Sequence, residues 1–327
     1  MTTTTLKLGI SLSDRVFPLL DGSAPPKDIK FEIIQSSGDI FRRALSSNDF
    51  DVTEMSLAAH AILCSRGDTR FVGLPLFTSR IFRHSSLYIC AASGINQPSD
   101  LAGKRVGLSE YQSTSAVWLR GVLQEYYGVR PESMKWVKGG VDKPSTGVDR
   151  IPLSLPPKYA VSTIAQDTTL SDCLIKGEID ALVSSKIPRA FSAGGQKVKR
   201  LFPDSRAAEV DYFKASGIFP IMHMLVMSRS AYQENPQLAN GIYEAFVAAK
   251  KVSEHRLYET DALAYMIPWL VPEMDATYSI MGKDFWPYGM QGNRKTVGKF
   301  IEYLRSQDLL KNELKVEDLF ARELHGS

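Results

Sequence analysis

The sequence predicts an α/β protein of two lobes, and three observations carry that prediction. Short β-like runs alternate with helix-like segments through the first third of the chain, a pattern that implies parallel sheet. The stretch "LSSNDFDVTEMS" echoes "LIKGEIDALVSS" much later. Two apolar β-like runs, "SLYICAAS" and "IFPIMHMLVMS", stand where a chain would leave one lobe and return to it.

Taken in order, "LKLGISL" and "IKFEIIQ" read as strands, and "GDIFRRALSSNDF" carries apolar residues at helical spacing. "DVTEMS" is a strand end, "SLAAHAILCSRG" a helix closed by glycine, and "RFVGLPLF" a further strand. "KRVGLS" is a strand, and "TSAVWLRGVLQEYYG" a helix ending at Gly128. Residues 138–160 are rich in Gly, Pro and Ser and read as an exposed loop. From residue 229 onward the chain is mostly helical, with apolar faces in "NPQLANGIYEAFVAAKKVSEHRLYE" and "GNRKTVGKFIEYLRSQDLL". The echo aligns Asp51 with Asp180 and sets Glu54 and Ser56 opposite Ser184 and Ser185 at a shared surface. The expected division is residues 1–88 with 222–327 as one lobe and 89–221 as the other.

Composition agrees with a globular chain. Of 327 residues, 44% are hydrophobic and 23% charged, and the net charge of +3 is spread among mixed signs. No stripe for nucleic acid or membrane stands out. Cys64, Cys90 and Cys173 are odd in number and set in apolar contexts, which fits reduced, buried thiols. "MTTTTLKLGIS" lacks a basic region, an apolar core and a cleavage site, so a cytoplasmic location is expected. No GxGxxG after a strand, GxxxxGK[ST], HExxH, CxxC or GxSxG is present.

Four stretches hold candidate chemistry. In "RIFRHSSLYIC", an extended chain would put Arg80, Phe82 and His84 on one face and Arg83 on the other. An arginine and a histidine on one face would hold a carboxylate and move a proton. Solvated arginines beside a packed histidine are the competing reading. In "IFPIMHMLVM", His223 sits among apolar residues, as a core group or a functional one. In "SEYQSTSAVW", Ser113 or Thr114 is typed as a helix N-cap, with Tyr111 and Gln112 beside a positive helix end. In "GKDFWPYGMQGNRKT", Trp286 opens a rigid aromatic turn that would wall a pocket or pin the C-terminal helices.

These stretches, with "DLAGKRVGLSEYQSTSAVWLRGVLQEYYGV" and "GEIDALVSSKIPRAF", resemble the bacterial 4,5-dihydroxyphthalate decarboxylases from about residue 5 to 322. The resemblance implies a type 2 periplasmic-binding-protein-like fold, with a ligand cleft between two α/β lobes and a helical C-terminal region. It also implies conversion of 4,5-dihydroxyphthalate to protocatechuate and carbon dioxide without a cofactor. Such a site needs a cation for the carboxylate that stays, a base near the phenol, and an acid at the carbon that loses carbon dioxide. On that scheme Arg80 or Arg83 and the Ser113–Thr114 helix start hold the spectator carboxylate. His84 is the preferred acid and His223 the second candidate, while Glu54 orients a histidine or takes the phenolic proton. Arg15 and Asp14 contact ligand oxygens, Ser56, Tyr111, Gln112 and Ser184 line the site, and Trp286 is wall.

A divalent metal on Glu54, His84 and His223 is the alternative to metal-free chemistry. The rival functions are a non-catalytic binding protein for an aromatic or heterocyclic carboxylate, and a biosynthetic enzyme on the same scaffold. The expected partner is a small aromatic carboxylate, with a homo-oligomer possible and neither nucleic acid nor membrane engaged.

Overall fold

Eleven strands form two sheets among the described residues of the computed structural model, which are 3–35, 40–47, 49–193 and 195–327. In chain order they are β1 (Thr4–Ile10), β2 (Ile29–Gln35), β3 (Val52–Ser56), β4 (Phe71–Arg80), β5 (Leu87–Cys90), β6 (Arg105–Leu108), β7 (Lys135–Lys138), β8 (Ala160–Thr163), β9 (Ala181–Val183), β10 (Val198–Arg200) and β11 (Ile221–Ser228). The chain divides into two units. Met1–Arg80, Ile221–Gly298 and Asn312–Ser327 form the first, and Ile81–Pro220 with Lys299–Lys311 the second.

The first unit carries a sheet of order β2-β1-β3-β11-β4. β1 runs parallel to β2 and β3, whereas β11 is antiparallel to both β3 and β4. Its core joins Leu8 and Ile10 of β1, Leu74 and Leu76 of β4 and Leu225 of β11 to Ile242 and Phe246 of the helix Leu238–Arg256. The second unit has the order β10-β5-β9-β6-β7-β8. There β6 is parallel to β7 and β9, and β5 is antiparallel to β9 and β10. Its core includes Tyr88, Leu170, Cys173, Leu174 and Leu182.

The internal echo has a structural counterpart. The Asp51 N–H donates to the Lys7 carbonyl at 3.0 Å, and the Asp51 carboxylate accepts from the Lys7 N–H at 2.8 Å. In the second unit Asp180 holds Arg105 in the same two-way clasp, at 2.9 and 2.8 Å. Each aspartate ends a turn and locks the next strand onto its parallel neighbour. The start of the helix predicted over residues 38–50 and its Asn48 lie outside the described residues; Ile40–Ser46 are helical.

The chain passes from the first unit to the second at Arg80 and Ile81, not after residue 88. The ladder between β4 and β11 ends at the pair Arg80 and Ile221, and the next bond, from Ile81 N to the Pro220 carbonyl, already belongs to the second unit. Residues 299–311 also join the second unit, because Phe300 packs tilted and Tyr303 edge-on against Trp118 and Gln307 accepts from Arg120. The first correction comes from where a backbone ladder ends and the second from side chains that composition does not pair. All three cysteines are free thiols, with Cys90 and Cys173 buried.

Candidate active site

The carboxyl ends of β1, β3 and β4 lie at one edge of the first sheet, where β11 begins. Open α/β sheets place ligands at such edges. Glu54 of β3 is buried there, its side chain 2% exposed, while His223 of β11 is 29% exposed. Glu54 Oε1 accepts from His223 Nδ1 at 2.9 Å and from Thr78 Oγ1 at 2.9 Å. Its other oxygen accepts from the Ser11 backbone N–H at 3.0 Å. Burial acts to raise the Glu54 pKa, but the hydrogen bond and charge of His223 and the bonds from Ser11 outweigh it and bring the carboxyl to about 2. An ionised acceptor at Nδ1 places a hydrogen on that nitrogen and leaves Nε2 outside the pair. The Phe41 ring meets the imidazole edge-on, 4.7 Å between centroids. Ser56, paired with His223 across the ladder, caps the helix Leu57–Ser65 through Ala59 N.

A bulge in β4 shapes this edge. Leu225 pairs with Leu74 and His223 with Ser79, so Pro75, Leu76, Phe77 and Thr78 stand opposite Met224 alone. Pro75 has no N–H to give to a ladder, and bulges commonly re-aim side chains beside functional sites. Three carbonyls of the bulge turn to other partners: Pro75 accepts from Gly289 N at 2.8 Å, Phe77 from Trp286 Nε1 at 2.7 Å, and Thr78 from an Arg15 terminal nitrogen at 3.0 Å. The Arg15 guanidinium lies 4.0 Å above the Trp286 ring and is paired with Asp14. Trp286 therefore pins the 286–289 turn to β4 and carries Arg15 on its face.

Arg80 is not oriented as the sequence suggests. It is 6% exposed and donates to the Pro287 carbonyl at 2.9 Å and to the Asn293 side chain, bracing the same turn. The strand ends at Arg80, and residues 84–86 form a 3-10 turn, so Arg80, Phe82 and His84 do not share an extended face. Arg83 and His84 belong to the second unit. Arg83 donates to Ser86 Oγ and the Ser185 carbonyl, each at 3.4 Å. His84 is 2% exposed, packed against Phe202, Tyr212 and Tyr127, and neither ring nitrogen has a hydrogen-bond partner among the described residues. Burial brings its pKa down to about 4, so it stands neutral at neutral pH.

Of the other candidates of the second unit, Tyr111, Gln112, Ser113 and Thr114 lie at the start of the helix Thr114–Tyr127 and Ser184 directly follows β9. Ser113 occupies the N-cap position without a side-chain cap bond. Tyr111 is fully buried, and its carbonyl accepts from Arg120 at 2.6 Å. Gln112 is buried and donates to the Ile151 carbonyl at 3.5 Å, at the limit of a hydrogen bond. Ser184 is buried as well, donating to the Lys186 carbonyl at 2.6 Å. Among the described residues no group of three or more His, Cys, Asp or Glu is placed to hold a metal ion, and no helix is long and apolar enough to cross a membrane.

Of the expected residues, the first unit thus brings Glu54 to His223, and Arg15 to Asp14 and Trp286. Thr78 and Ser11 were not among the expected residues. Their signal was position alone: Ser11 follows β1, which pairs directly with β3, whereas Thr78, near the end of β4, becomes readable only once β11 is known to lie between β3 and β4.

A scan against protein-family models gives no match. The chain is 34% identical to a 4,5-dihydroxyphthalate decarboxylase of Comamonas testosteroni, over 96% of each chain. It is 36% identical to one of Pseudomonas putida, over 64% of this chain and 82% of that one. Among solved structures it is similar to the periplasmic sulfonate-binding protein SsuA of Methylobacillus flagellatus KT, with a TM-score of 0.55, 14% identity, and coverage of 100% of this chain and 94% of that one. This last likeness shows the type 2 periplasmic-binding-protein-like fold. The near-full-length identity to the decarboxylase shows the family: the chain belongs to the 4,5-dihydroxyphthalate decarboxylases.

Proposed function

We propose that this protein is a carboxy-lyase that converts 4,5-dihydroxyphthalate to protocatechuate and carbon dioxide, with His223 as the proton donor. The observation that carries the reading is the Glu54–His223 pair, a buried carboxylate bonded to the Nδ1 of a half-buried imidazole at 2.9 Å. A carboxylate behind a histidine stabilises the imidazolium and aims its second nitrogen. Each substrate carboxylate is para to a hydroxyl, whose electrons raise the basicity of the ring carbon that bears the carboxylate. His223 donates from its doubly protonated form: Nε2–H protonates that carbon and leaves the neutral Nδ1–H ring on Glu54. The carbon–carboxylate bond then breaks, and its electron pair restores the aromatic ring as carbon dioxide leaves. Solvent returns the proton to His223, so each turnover consumes one. Arg15, held by Asp14, the Thr78 carbonyl and the Trp286 face, is the cation we assign to the carboxylate that stays. Arg80 serves instead to brace the turn that carries Trp286.

The test is direct. Purified protein incubated with 4,5-dihydroxyphthalate should release carbon dioxide and protocatechuate in equal amounts. Saturable binding without turnover would make the protein a carboxylate binder. Activity that vanishes on chelation and returns with one divalent ion would replace the metal-free scheme.

A further inference from the structure

Thr78 touches both functional groups of the sheet edge. It is 7% exposed, its hydroxyl donates to Glu54 Oε1 at 2.9 Å, and its carbonyl accepts from Arg15 at 3.0 Å. The same Glu54 oxygen receives His223 Nδ1. A carboxylate turns easily about its last torsion, because that bond joins sp3 to sp2 carbon and has broad wells. Without Thr78, the fixed donor on that side of Glu54 would be lost, leaving the Ser11 N–H on Oε2 and the imidazole itself.

The bulge puts Thr78 in place. The pairs Leu225 with Leu74 and Val226 with Gly73, continued without a break, would set Leu76 opposite His223. The bulge brings Ser79 there instead and presents the Thr78 hydroxyl to Glu54.

We propose that Thr78 is a positioning residue for the decarboxylation: its hydroxyl fixes Glu54, and through Glu54 the ring plane and tautomer of His223, while its carbonyl fixes Arg15. The inference rests on His223 being the proton donor. It predicts a split between the two ends of Thr78. Thr78→Val keeps the branched shape and the carbonyl but removes the hydroxyl, so the proton step should suffer and substrate binding should not. Turnover (kcat) should fall roughly 10–100-fold, the scale of a misplaced catalytic group, with KM nearly unchanged. Thr78→Ser should restore most of the loss. In the ligand-free protein, the Nδ1–H proton resonance of His223 should shift or broaden in Thr78→Val and return in Thr78→Ser.

Wild-type kcat in Thr78→Val, with an unchanged Nδ1–H resonance, overturns the proposal. So does a loss that appears in KM alone. If Thr78→Val does not fold, Thr78→Ala is judged against Thr78→Ser on the same readouts. His223→Gln separates the layers: if it is fully active, the proton-donor reading itself fails, whereas an inactive His223→Gln beside an unimpaired Thr78→Val removes Thr78 alone.

Discussion

Asp51 in the first unit and Asp180 in the second clasp their neighbouring strands in the same way, yet the strands they introduce diverge at the third residue. β3 has Glu54 there and β9 has Val183. The antiparallel partners are Leu225 and Leu87. Two residues before Leu225 stands His223, on the face of Glu54. Two residues before Leu87 stands Ser85, with His84 one step further back inside a 3-10 turn. The first unit thus has an imidazole coupled to a carboxylate, and the second has one caged by aromatic rings. A histidine near a strand start is available to both units, and its face and its neighbours decide whether it can carry a proton.

The strongest way to break this contrast is to compare the histidines in turnover. His223→Gln or Glu54→Gln should lower it by about 10²–10⁴-fold, the usual contribution of a positioned proton-transfer group. His84→Leu should leave it within the same order of magnitude. Equal losses at His84 and His223 would end the contrast.

Acid unfolding sharpens it further. The folded pKa of His84, about 4, lies below its ordinary 6.5. Below pH 6.5 the unfolded chain binds a proton that the folded chain refuses, so stability present above pH 6.5 is lost as the pH falls toward 4. The loss is ~2–3 kcal/mol for one such group. Glu54 acts in a lower window: its folded pKa of about 2 lies below 4.5, so its contribution is present above pH 4.5 and disappears toward pH 2. His84→Leu should flatten the fall in urea midpoint between pH 6.5 and 4.5, and a slope identical to wild type would show that His84 is not caged as described.

The smallest effect concerns the clasps. Asp180 also receives Arg105 through two side-chain bonds, of 3.0 and 2.8 Å, although that arginine is 44% exposed. Asp180→Ala should cost about 2 kcal/mol and Asp51→Ala about 1 kcal/mol, from lost charge-assisted bonds. Chemical denaturation with amide exchange in β6 and β1 measures both. Equal costs would mean that the exposed ion pair adds nothing to the clasp.

Much of this was legible in the sequence. Alternating apolar runs located β1 to β4 and β11, and the echo paired Asp51 with Asp180, because local pattern governs both. His223 stood among the candidates as a residue too polar for its apolar run, and Glu54 through the echo that set it at a strand end. What was hidden is non-local. Placing β11 between β3 and β4 makes Thr78 a neighbour of Glu54, and strand order leaves no mark on either segment. The stretch "RIFRH" misled for a related reason: alternation assumes a continuous strand, and the ladder stops at Arg80 once Pro220 replaces a pairing strand. Pro75 was the visible clue to the bulge, since a residue without an N–H inside a strand run asks for one.

The bulged strand is also the outermost of its sheet, and that position carries a hazard of its own. An open strand edge is a template for pairing with other chains. Here the Gly73 carbonyl is taken by Ala321 N at 2.9 Å, and those of Pro75 and Phe77 by Gly289 and Trp286. At Gly73 even a methyl group would meet the Leu319 carbonyl at 2.1 Å, so the C-terminal segment lies close against the strand. The turn that supports Arg15 and the C-terminal segment near residues 319–321 therefore act as a guard rail, occupying carbonyls that an incoming strand would need.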